Sequence, residues 1–149
     1  MSRVATLVLL VAILCGSALA AARAEVRVSG GVAKDYDDEN AVVLAVAWLS
    51  DHAHPWEVMI GHVGERDRAE IPAAAYLALS KRFYWRQWFV SGGVALVSVD
   101  NDTLSGHGQF LTAIGRDFGR VNVSLRHLSN GSTQGRNRGE TFLLAEIAF

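Results

Sequence analysis

Cysteine is all but missing from this chain: the single one among 149 residues is Cys15, which sits inside an apolar run near the amino terminus. Arg3 precedes that run, which continues unbroken from Leu7 through Leu14, and small residues ending in Ala22-Arg23-Ala24 follow it. This is the layout of a secretory signal peptide, with cleavage expected after Ala24, or alternatively after Ala20, and a mature chain of residues 25–149. Leu14 is too bulky for a lipoprotein cleavage site before Cys15, so the mature chain is expected to carry neither a disulfide nor thiol chemistry. Long apolar runs are scarce too. The leader's stretch is shorter than the roughly 20 residues of a spanning helix, and no comparable run follows it, which excludes a helical anchor in the mature chain. Basic charge is not in excess: taking Arg3 and Arg23 from the 14 basic residues leaves 12 against 15 acidic ones, a formal charge of −3, and no nucleic-acid partner is expected. With no internal repeat, linker or low-complexity segment, the length fits one domain.

What the mature chain has in abundance is period-two alternation, broken at short intervals by Gly, Asp, Asn and Pro. That pattern predicts strands and turns. Eight strands are expected, at 25–34, 40–50, 56–64, 73–84, 87–98, 108–116, 120–129 and 140–149. Most are near the roughly 9 to 11 residues that a tilted strand needs to cross a bilayer, and an even number suits a bacterial single-chain barrel. In the seventh, Val121, Val123 and Leu125 share one face while Asn122, Ser124 and Arg126 share the other, as a wall between lipid and a polar lumen requires. The eighth places Thr141, Leu143, Ala145, Ile147 and Phe149 on one face, and its final aromatic resembles the terminal signal of outer-membrane barrels. Trp48, Trp56, Phe83, Tyr84, Trp85 and Trp88 cluster near predicted strand ends, where interfacial girdles belong. The predicted fold is all-β: an eight-stranded antiparallel transmembrane β-barrel of the bacterial outer membrane, with both termini periplasmic. A soluble β-sandwich or a lipocalin-like binding barrel is the competing architecture.

Chemistry concentrates in Arg126-His127-Leu128-Ser129-Asn130-Gly131 and in Asn137-Arg138-Gly139-Glu140. His127 and Ser129 stand two positions apart, so on a strand both point to one face, the face assigned above to lipid. A hydroxyl needs a neighbouring base to act as a nucleophile at neutral pH, and imidazole titrates in the useful range. A carboxylate would fix the imidazole tautomer and stabilise the imidazolium, a role open to Glu140. On a regular strand Glu140 has the opposite parity from Thr141, so the assignment requires a bulge or loop exit near Gly139 to bring it within hydrogen-bond reach of His127. An outward-facing pair near the end of its strand would meet an embedded lipid directly, whereas a lumenal pair would need a channel. His52 and His54 fall in a predicted turn with no third ligand, and no metal site is expected. The Asn-x-Ser/Thr sequences at Asn101, Asn122 and Asn130 carry no glycosylation meaning in a bacterial barrel.

In His127-x-Ser129-Asn130, the polar loop with Asn137-x-Gly139-Glu140, and the short final strand, the chain resembles the lipid A 3-O-deacylase (PagL) family. The motif spans residues 126–140, and the predicted barrel extends the likeness over the mature chain. The resemblance implies an eight-stranded outer-membrane esterase that releases the 3-hydroxyacyl chain at position 3 of lipid A. It implies Ser129 as nucleophile, His127 as base and Glu140 as the acid, with the Asn130 amide and the Gly131 N–H stabilising the oxyanion. It calls for no cofactor, and its partners are lipid A or lipopolysaccharide and outer-membrane lipids, with a homodimer left open. Arg66, Arg68, Arg136 and Arg138 fall in predicted loops, where they could meet lipid A phosphates. The alternative function is a non-enzymatic small barrel with a structural or adhesive role.

Overall fold

The structure, a computed structural model, describes residues 25–34, 39–66, 71–101, 103–135 and 138–149. The expected signal peptide at 1–24, the loop arginines Arg68 and Arg136, and Asn137 lie outside the described residues.

Eight strands form, each within one residue of its expected bounds: β1 (Glu25–Lys34), β2 (Asn40–Leu49), β3 (Trp56–Val63), β4 (Ala74–Trp85), β5 (Trp88–Val97), β6 (Gly108–Asp117), β7 (Val121–Ser129) and β8 (Glu140–Ala148). Each pairs antiparallel with the next, and β8 closes on β1 through the register Arg27↔Ala148 to Lys34↔Thr141. Closure leaves no free sheet edge, which is what allows a β-structure to sit in hydrocarbon.

The alternation sorts the side chains opposite to a soluble barrel. Along β2, Val42, Leu44 and Val46 project outward and stay 51–63% exposed, while Ala41, Val43, Ala45 and Ala47 turn in. Val121, Val123 and Leu125 of β7 also face outward, as expected, with exposures of 41–48%. An apolar outer wall of this kind matches lipid and does not match the lipocalin-like alternative.

The lumen is polar at its middle. Arg82 donates to Glu57 at 2.6 and 3.0 Å and to Glu146 at 2.8 Å, while Arg126 donates to Glu57 at 2.9 and 3.2 Å and to Glu146 at 2.7 Å. All four side chains are 0–1% exposed, and Ser80 and Ser124 add hydrogen bonds to the two carboxylates. Alanines on the inner faces, among them Ala45, Ala47, Ala78 and Ala95, leave these long side chains room. Two opposed pairs of charge thus balance where a lone ion would be prohibitively costly.

The connections at 50–55, 86–87 and 118–120 lie at one end of the barrel, none longer than six residues, and those at 35–39, 64–73, 98–107 and 130–139 lie at the other, three of them ten residues long. Short turns mark the periplasmic end. The expected aromatic residues all gather there, Trp56, Trp85 and Trp88 exposed on the rim, with Lys81, Arg86 and Arg116 over their rings at 4.9, 5.4 and 5.5 Å. Tyr84 is half-buried and tilts against Phe89 inside.

Candidate active site

On the outer wall, polar side chains interrupt the apolar face near the long-loop end of β6, β7 and β8. The antiparallel register sets His127 between Thr112 of β6 and Thr141 of β8, and sets Ser129 beside Phe110. Parity turns all five outward, and His127 and Ser129 are each half-buried. The two expected residues therefore share a face directed at lipid, at the extracellular level of the barrel.

The His127 ring is held from two sides. Its Nδ1 lies 3.0 Å from Thr141 Oγ1. Its other edge lies against Gly139, where an added Cβ would come within 2.6 Å of Cε1 and 2.8 Å of Nε2. Gly139 has φ +72°, and its N–H donates to Thr103 O at 3.0 Å, which ties the last long loop to the 98–107 connection. A residue in this left-handed conformation with no space for a side chain must be glycine. The threonine hydroxyl can accept or donate in this contact; when Nδ1 carries the proton and donates, Nε2 is the nitrogen left to accept one. Among the described residues no hydrogen bond joins Ser129 to His127. Residues two apart along a strand are separated by roughly 6.6 Å, and catalytic contacts commonly tighten only around the substrate.

Glu140 is not where the triad needs it. The register runs regularly through Leu128↔Glu140 and His127↔Thr141, so no bulge forms and the side chain enters the lumen, 1% exposed. There Arg66 grips both carboxylate oxygens, with Nη1 donating to Oε2 at 3.3 Å and Nη2 paired to Oε1. The sheet's two-residue period prevails over motif position, and the irregularity at Gly139 ends before the strand begins. Arg66 is only 4% exposed and is likewise not a surface cation facing substrate.

Asn130 also departs from its expected role. It is 2% exposed, its amide nitrogen donates to Ser105 O at 3.0 Å and to Gln134 O, and its Oδ1 accepts the Ser132 N–H at 2.8 Å. Both amide protons are spent on the loop, which leaves none for an oxyanion. Gly131 is exposed, has φ +61°, and abuts the Phe110 ring on the Ser129 side of the wall. Of the two expected oxyanion donors, only this backbone lies on the face of the serine.

Beyond Phe110, a groove with a volume of about 480 Å³ runs along the outer wall, lined by Phe110, Leu96, Val94, Leu77, Leu79 and Val58, with Thr133 at its loop end. Gly108 contributes no side chain and opens it further. Thr141 and Phe110 were missed as site residues by reasoning from the sequence, and Arg66, expected at lipid A phosphates, instead pairs with Glu140. Parity did place Thr141 on the outer face, but only the β7–β8 register shows that it meets His127.

The lipid A 3-O-deacylase (PagL) family pattern matches residues 37–149. Among solved structures, the outer membrane enzyme PagL is similar to this chain with a TM-score of 0.57 and 21% identity, over 81% of this chain and 98% of that one. At that identity the likeness is one of fold. No curated protein sequence matches the chain.

Proposed function

The chain belongs to the lipid A 3-O-deacylase (PagL) family, and from that premise we propose that it acts as a serine esterase, with Ser129 as nucleophile and His127 as general base. Its activity is lipid A deacylation in the outer membrane. The observation that carries the catalytic assignment is the placement of His127 and Ser129 on the lipid-facing wall, with Ser129 beside Phe110, which lines an apolar groove.

Ser129 Oγ attacks the ester carbonyl at position 3 of the sugar while His127 Nε2 takes its proton. The carbonyl oxygen becomes an oxyanion, for which the Gly131 N–H is the donor this chain offers. Collapse of the intermediate breaks the bond to the sugar oxygen, and His127 returns the proton to that oxygen. Water then attacks the acyl-serine with the same base, releasing a 3-hydroxy fatty acid and restoring Ser129. The groove supplies an apolar bed for the departing acyl chain. Asn130 holds the loop that presents Gly131, and Glu140 with Arg66 anchors the start of β8 from inside. Export with removal of residues 1–24 delivers the barrel to its membrane, and Arg68, Arg136 and Arg138 in the long loops are the candidate cations for substrate phosphate.

Purified protein with lipid A in detergent or vesicles should release free 3-hydroxy fatty acid, read by mass spectrometry of both products. Ser129→Ala and His127→Ala should each lower turnover by at least about a thousandfold while the barrel keeps its heat-modifiable gel migration. Near-normal deacylation by a folded Ser129→Ala protein would exclude the mechanism.

A further inference from the structure

We infer that Thr141 is the positioning residue of the base, so that a neutral hydroxyl holds the His127 imidazole where a serine esterase ordinarily uses a carboxylate. The inference rests on the assignment of His127 and Ser129 above and concerns how that pair is made competent.

Three observations converge on it. His127 and Thr141 are cross-strand partners on the outer wall, and Nδ1 lies 3.0 Å from Oγ1, within hydrogen-bond distance. Glu140, the carboxylate adjacent in sequence, faces the lumen and is committed to Arg66. The other neighbours of the ring on each element packed against it are neutral: Thr112, Phe110 and Ile114 on β6, Leu125 and Ser129 on β7, and Leu143 on β8. The loop before β8 brings Gly139 under the ring and the cation Arg138 beside it in sequence. Among the described residues, then, no carboxylate on these elements faces the imidazole, and the charged side chains nearest along the strands, Arg126 and Glu140, point to the lumen.

A hydroxyl and a carboxylate do different work at this position. Either can accept the Nδ1 proton and so favour the tautomer that leaves Nε2 free for the serine proton, although the hydroxyl can also donate and the carboxylate cannot. Only a carboxylate adds negative charge beside the imidazolium that forms as Ser129 attacks. With threonine, the site keeps orientation and forgoes that charge, so the base should be easily oriented yet weak. Substitution at residue 141 should therefore separate the two contributions.

Three variants of the full barrel test this with lipid A in mixed micelles. Thr141→Val keeps the shape and removes the hydroxyl, and should lower kcat by about tenfold to a hundredfold with little change in KM. Thr141→Ser restores the hydroxyl and should recover most of kcat. Thr141→Glu places a carboxylate on the same face and should move the acidic limb of the kcat–pH profile to higher pH, because it favours the protonated ring. Nitrogen NMR of the His127 ring, recorded in a Ser129→Ala background, should show the Nδ1-protonated tautomer and lose that preference when Thr141→Val is added. The NMR reading stands apart from turnover, so a failure of the serine-esterase assignment is distinguishable from a failure of this one. An unchanged kcat and tautomer in Thr141→Val would overturn the inference. So would equal losses in Thr141→Val and Thr141→Ser, which would make the contribution one of packing.

Discussion

At residue 130 the choice is between catalysis and architecture, and the hydrogen bonds decide it. Asn130 spends its amide on Ser105, Gln134 and Ser132, each bond worth about 0.5–1.5 kcal/mol net. Asn130→Ala should therefore loosen the loop, speeding hydrogen exchange at the Ser132 amide and lowering kcat by way of a displaced Gly131. A loss of a hundredfold or more in kcat with unchanged exchange would instead return Asn130 to the oxyanion hole. His127 and Ser129 were legible in the sequence because two positions along a strand always share a face, whatever the strand pairs with. Glu140 and Asn130 were not, since motif position implies a role while parity and local hydrogen bonding determine where the side chain goes. Thr141 was placed on the outer face by parity but given no part in the site, because a threonine on a strand face carries no signal of its own.

At the scale of the strands, the alternation in β1 to β8 fixed element bounds to within one residue, since both faces of each strand meet sharply different surroundings. Register is another matter. That Phe110 lies beside Ser129 and Thr141 beside His127 depends on how the sheet closes, and single-strand periodicity is blind to it. The same registers align Gly108, Leu96 and Leu77 across three strands into the groove wall. Gly108→Phe, which adds a ring where nothing lies within 4 Å, should narrow the groove near Phe110. The expected outcome is a shift in preference toward shorter acyl chains, measured as kcat/KM across a series of synthetic esters, with kcat on the shortest nearly unchanged. An unaltered chain-length profile would remove the groove from substrate binding.

For the whole molecule, stability should rest on the lumenal quartet more than on any surface contact. Glu57 accepts from both Arg82 and Arg126, so Glu57→Leu leaves two buried guanidinium groups facing Glu146 alone. Breaking such a buried pair typically costs about 3–5 kcal/mol, and the urea midpoint for unfolding from vesicles should fall accordingly. An unchanged midpoint would mean that water or rearrangement compensates the charge. The quartet also fills the barrel's middle, so the lumen offers substrate no route and the work is done on the outer surface. That placement changes what concentration means for this enzyme. A site on the outside of the wall samples the lipids that drift past it in the plane of the leaflet, a search in two dimensions. Turnover should then follow the fraction of neighbouring lipid that is substrate, and adding inert detergent or phospholipid would slow it by dilution within the surface even as the amount of lipid A per millilitre stays the same.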